Sequence, residues 1–302
     1  MKKYIVLVFL ISIISCQQKT KKNGKLQVVT TTTMITDLVK NIGGDKIDIQ
    51  GLMGAGVDPH LYKASAGDVS KLFNADVIVY NGLHLEGKLE DVFEKMRQQN
   101  KKTIAASDAI DTATLIGSEY FASSYDPHIW FDITNWESIT KYITAKFCEL
   151  DAENAATYKE NGANYLKTLA ALKTAITEKV NSLPIEKRIL VTAHDAFNYF
   201  GKQFQFNVVG LQGLSTATEA GVKDVQRLAS FIEEKNVKAI FVESSVPKRT
   251  VEALQEAVRA KGKEVVIGGT LYSDALGSKG TAEETYVGMY KHNVNIIVNS
   301  LK

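Results

Sequence analysis

Cysteine is nearly absent from this chain of 302 residues: Cys16 and Cys148 are the whole supply. That excludes a scaffold held together by disulfides, and at this length a buried core can do without them. Proline is scarce too, at four, and no low-complexity tract interrupts the sequence, which argues against a disordered body. Neither sign of charge prevails. Lys and Arg number 36 against 34 Asp and Glu, a net +2 that gives nucleic acid no electrostatic footing. Also missing are the metallohydrolase patterns HExxH and HxHxDH, the nucleophile elbow GxSxG, and a glycine-rich phosphate loop ending in Gly-Lys-Ser or Gly-Lys-Thr.

The first residues differ from the rest. Lys2 and Lys3 precede an apolar run from Tyr4 to Ser15, and a polar, lysine-rich stretch follows Cys16. The run falls short of the roughly 20 residues that span a bilayer, and it fits the hydrophobic part of a secretory signal. A cysteine directly after it resembles a bacterial lipoprotein processing site. The expected division is a lipoprotein signal over 1–15, lipidated Cys16 opening a tether over 16–24, and a membrane anchor of lipid alone. A plain signal peptide and a retained anchor are the alternatives. With Cys16 lipidated, Cys148 stands alone, and its helical surroundings "ITAKFCELD" mark it as a small apolar residue.

From residue 25 strand-like and helix-like stretches alternate. "KLQVVTTTT", "DIQGLM" and "DVIVYNG" read as strands; "TDLVKNIGG", "SAGDVSKLFNA" and "LEDVFEKMRQQN" read as helices. A long helical stretch follows over 153–182, with Tyr158, Tyr165, Leu169, Leu172 and Ile176 in one apolar stripe. The alternation then restarts at "KRILVTAH" and runs to a last helix near 281–302. The class is α/β: two lobes of mainly parallel sheet, 25–152 and 183–302, joined by one long helix. Two such lobes present the carboxyl ends of their strands to a common cleft.

Among five histidines, two occupy one repeated pattern, "VDPHLY" at 57–62 and "YDPHIW" at 125–130. Proline fixes its own φ and forces the preceding aspartate into extended geometry, so His60 and His128 sit on stiff loops. Pre-placing a histidine suits a metal ligand. His194 in "ILVTAHDAFNYF" ends a β-branched strand where a helix begins, and the positive end of that helix is expected to favour the neutral imidazole a metal requires. An acid should complete the set: Asp274 in "GGTLYSDALG" or Glu243 in "FVESS", each following a strand. His84 follows a strand and could line the same cleft, as a structural residue or as one that supports a ligand; His292, on the last helix, reads as a surface or core contact. Four ligands from four segments would close the coordination shell, which favours holding a metal over a hydrolytic site with an open position.

Taken together, "NIGGDKI", "LMGAGVDPHLYKAS", "YNGLHLEGKLEDV", "DPHIWFD", "ILVTAHDAFNYFG", "GLQGLSTATEAGVKDVQ", "AIFVESSV" and the stretch from "GGTLYSDALG" to "MYKHNVN" resemble the manganese/zinc substrate-binding lipoproteins of bacterial metal ABC importers, over essentially the whole chain. The resemblance implies two (β/α) lobes on a rigid backbone helix, a metal between them held by His60, His128, His194 and Asp274, no enzymatic activity, a monomer, and a membrane permease as partner. Its cargo would be Mn²⁺, with Zn²⁺ next, because no long His/Asp-rich loop stands between 110 and 127. Three imidazoles and a carboxylate suit Zn²⁺, Mn²⁺ or Fe²⁺, and intrinsic affinity favours Zn²⁺ over Mn²⁺. A zinc-specific receptor and, more remotely, a metal-dependent hydrolase are the alternative functions.

Overall fold

A computed structural model describes residues 24–302. The expected signal over 1–15, the lipidated Cys16 and most of the tether lie outside the described residues. The amino-terminal lobe runs β1 (Leu26–Thr30), α1 (Thr33–Gly43), β2 (Ile47–Gly51), α2 (Ala66–Asn74), β3 (Val77–Tyr80), α3 (Glu90–Gln98) and β4 (Lys102–Ala105). Two helices follow, α4 (Ile133–Leu150) and α5 (Ala155–Asn181). The second lobe runs β5 (Ile189–His194), α6 (Asn198–Phe204), β6 (Asn207–Gln212), α7 (Val222–Lys235), β7 (Ala239–Glu243), α8 (Arg249–Ala260), β8 (Val266–Leu271) and α9 (Tyr286–Leu301).

Each lobe holds a four-stranded sheet, ordered β2-β1-β3-β4 and β6-β5-β7-β8, and every neighbouring pair is parallel. Both orders reverse beside their first strand, the place where open parallel sheets bind ligands beyond their carboxyl ends. Local signals set the element ends. Thr32 caps α1 by accepting from the Ile35 amide, and Gly44 terminates it at φ +54°. Ser65 and Asp68 form a reciprocal capping box on α2.

The structure adds β4 and extends the helical spacing seen around Cys148 into a full helix, α4, from Ile133 to Leu150. It also trims the last helix. Residues 282–284 form a 3₁₀ turn, and Thr285 caps α9 by accepting from the Gly288 amide.

Helix α5 extends about 40 Å at about 1.5 Å per residue. It packs against α4, against α1 of the first lobe and against α9 of the second. Its stripe from Tyr158 to Val180 is buried. The largest hydrophobic cluster runs without a break from Leu26 and Leu38 through Trp136 and Leu169 to Tyr286 and Leu301. The two lobes therefore share a core on the side away from the cleft. Trp136 stacks on Tyr286 at 4.9 Å between ring centroids, and the hydroxyls of Tyr286 and Tyr290 donate to the carbonyls of Trp130 and Phe131. Among the described residues no helix is long and apolar enough to cross a membrane.

Candidate metal centre

The four side chains singled out from sequence meet between the lobes. His60 lies on the connection after β2, and His128 on the connection after β4. His194 is the last residue of β5, and Asp274 follows β8. One ligand atom from each lies within 4.8 Å of the others, and all four residues are buried. Among the described residues this is the one such convergence of three or more His, Cys, Asp or Glu.

The spacing is that of a coordination polyhedron. His60 Nε2 is 3.3 Å from His128 Nε2; Asp274 Oδ1 is 3.6 Å from His128 Nε2; Asp274 Oδ2 is 3.2 Å from His194 Nε2. Metal–ligand bonds of about 2.0–2.2 Å in a tetrahedron set ligand atoms about 3.3–3.6 Å apart. Asp274 is only 1 % exposed, and its two oxygens face His128 and His194 without a well-aligned hydrogen bond. A buried carboxylate is costly unless positive charge compensates it, and a bound cation would do so for both oxygens at once. Because the two oxygens face different imidazoles, Asp274 can bind through both.

Carboxylates also explain the repeated Asp-Pro-His. Asp126 Oδ1 accepts from the His128 amide at 2.9 Å and lies 2.7 Å from His128 Nδ1. That contact holds a proton on Nδ1 and leaves Nε2 free to bind a metal. Asp58 Oδ1 accepts from the His60 amide in the same turn, at 2.8 Å, while its other oxygen accepts from Thr216 Oγ1 of the opposite lobe at 2.5 Å. His194 is braced by Glu243, whose Oε1 accepts from the His194 amide at 2.9 Å and whose Oε2 lies 2.6 Å from Nδ1. Glu243 thus stands behind His194, and Asp274 faces the centre. Asn81 donates to the Pro127 carbonyl at 2.9 Å and pins the second loop. The sequence held a sign of the Asp126 and Asp58 contacts, an aspartate two residues before each histidine; it held none for Asn81 or Thr216.

One electrostatic expectation is overturned. Helix α6 begins at Asn198, too far on for its dipole to set the charge of His194. Burial is the largest influence on His194 and opposes charge, but Glu243 and Asp274 together outweigh it and raise its pKa well above the usual imidazole value. His60 goes the other way: burial lowers it to about 3, against the attraction of Asp274. Asp274 is itself held below the usual carboxylate range: burial works against its charge, but His194 and His128 prevail.

The remaining histidines lie outside the ligand set. His84, partly exposed and 3.8 Å from Glu90, stands edge-on to Phe121 beside His60, and His292 on α9 sits between the Thr270 carbonyl and Glu283.

The chain is 47% identical to the manganese-binding lipoprotein MntA of Bacillus subtilis, over 92% of this chain and 90% of that one. It is 48% identical to the zinc-binding protein TroA of Treponema pallidum over the same shares. The solved structure of that periplasmic zinc-binding protein superposes with a TM-score of 0.89, covering 92% of this chain and 99% of the other. The manganese ABC transporter substrate-binding lipoprotein PsaA of Streptococcus pneumoniae is 30% identical over 99% of this chain and 96% of its own length. The model of the periplasmic zinc-uptake complex component A (ZnuA) family matches residues 28–300, and the chain belongs to that family.

Proposed function

We propose that this protein is an extracytoplasmic receptor that captures a divalent transition-metal cation and hands it to the permease of an ABC importer. Its ligands are His60, His128, His194 and Asp274. The observation that carries the reading is their convergence on one buried point, with the Asp274 carboxylate facing two of the imidazoles. The cargo is Mn²⁺ in preference to Zn²⁺. A bidentate Asp274 raises the coordination number in a way Mn²⁺ accepts, while the imidazoles keep Zn²⁺ a strong competitor. Lipidated Cys16 tethers a monomer to the membrane, the lobes span 25–152 and 183–302, and the helix over 153–182 links them. Four protein ligands leave no open position for a nucleophilic water, which supports carriage over hydrolysis.

Calorimetric titration of the purified chain with Mn²⁺ and Zn²⁺ tests the reading. One site per molecule is expected, with affinity lowered more than about a hundredfold in His60→Ala and Asp274→Asn. Unchanged affinity in both variants would remove the assignment.

A further inference from the structure

Two loops flank the cleft mouth. One is the hairpin 117–125, closed by a single antiparallel bridge between Gly117 and Tyr125. The other is the turn that follows β6, which reaches Asp58 through Thr216. Between them lies a cavity of about 400 Å³, lined by Phe121, Asp195, Gln212, Glu219 and Asp224 among others. Phe121 forms part of its wall and also stands edge-on to His60, at 6.4 Å between ring centroids. Of the three site histidines, His60 alone keeps any exposure, 5 % against 0 % for His128 and His194. The ring of Phe121 therefore touches both the cavity and the most accessible ligand.

Ring contacts hold the hairpin to its surroundings: Phe121 stands edge-on to His84, at 6.2 Å between centroids, as well as to His60. The hydrogen bonds recorded for residues 118–124 stay within it: the Ser118 amide donates to the Ser124 carbonyl, the Ser124 amide to the Phe121 carbonyl, and Ser123 Oγ to the Tyr125 carbonyl while accepting from the Tyr125 amide. Asp195, Glu219 and Asp224 place carboxylates on the cavity wall, two of them beside arginines, Asp224 at 3.6 Å from Arg227 and Glu219 at 2.9 Å from Arg249, and buried Gln212 has a side-chain oxygen with no hydrogen-bond partner.

We propose that this cavity is the access route to the metal centre and that Phe121 is the shutter at its inner end. The inference rests on the metal-receptor reading. A cation enters the cavity, meets the free oxygen of Gln212, and passes when the hairpin swings Phe121 off His60. The return of the ring covers the loaded site. The shutter sets how fast metal enters and leaves, whereas the four ligands set how tightly it is held, so removing the ring speeds both directions and leaves their ratio in place.

Stopped-flow mixing with Zn²⁺, and release from the loaded protein into excess chelator, measure the two rates; titration measures the affinity separately. Phe121→Ala should speed association and release by about tenfold each, with Kd changed by less than about threefold. Phe121→Leu should fall between it and the native chain. Unchanged rates would overturn the route. A weakened Kd without faster association would overturn the shutter, reducing Phe121 to a support for His60. If the native chain binds no metal in the titration, the receptor reading fails instead, so the two failures are separable.

Discussion

The three imidazoles differ in what they must give up to bind a metal. His60 is neutral throughout the physiological range, because burial holds its pKa near about 3. His194, raised by Glu243 and Asp274 against the opposition of burial, holds a proton more tightly than an ordinary imidazole. A metal competes with that proton, so affinity should climb as pH rises toward the raised value and level off above it. The effect on stability has the opposite sign. The charged His194 stabilises the fold below the unfolded histidine value of about 6.5, and that contribution is lost as pH rises through the folded value. Calorimetry at pH 7 in buffers of different ionisation enthalpy should show protons released on metal binding. Glu243→Gln should reduce that release, and an enthalpy that does not vary with buffer would refute it. The doubled Asp-Pro-His was legible in sequence because its chemistry is contained within a few residues. The charge on His194 was not, because Glu243 stands 49 positions away.

Helices α4 and α5 cross at Gly162. A Cβ there would meet Thr144 Oγ1 at 2.4 Å and its Cγ2 at 3.0 Å. From sequence this glycine reads only as a weak point in a long helix; in the structure it permits close approach. Gly162→Ala gains about 1 kcal/mol of helix propensity. It must also displace a β-branched side chain whose hydroxyl donates to the Thr140 carbonyl at 2.7 Å. Overpacking of this kind costs about 1–3 kcal/mol. The expected balance is a loss of about 1 kcal/mol, read as a lower thermal midpoint; a higher one would mean the helices can part freely. Helix α4 escaped the sequence reading except around Cys148, although Ile133, Trp136, Ile139, Thr140, Ile143 and Phe147 form a buried stripe at helical spacing. Its isoleucines and threonines have weak helix propensity, and packing on α5 overrides it. The 3.6-residue stripe of α5, richer in Ala, Leu and Lys, was plain.

At the scale of the whole molecule, the shared core behind the cleft joins the lobes, while the metal centre joins them in front. A ligand that binds only the folded state adds about 4 kcal/mol of stability at a thousandfold excess over Kd. For a chain of this size that is about 10 °C in thermal midpoint. Adding chelator to the loaded protein should therefore lower the midpoint by about that amount, and an unchanged midpoint would show that the cation does not bind between the lobes. The sequence by itself determined the α/β alternation, the long helix, and the residues fit to hold a metal. Each of these rests on spacing and chemistry within a few neighbouring residues, where backbone geometry leaves little choice. Only the tertiary structure decided which carboxylate faces the centre and which stands behind a histidine, how His194 is charged, and where Phe121 rests. Those outcomes depend on the summed packing of segments far apart in the chain, and no local pattern encodes that sum.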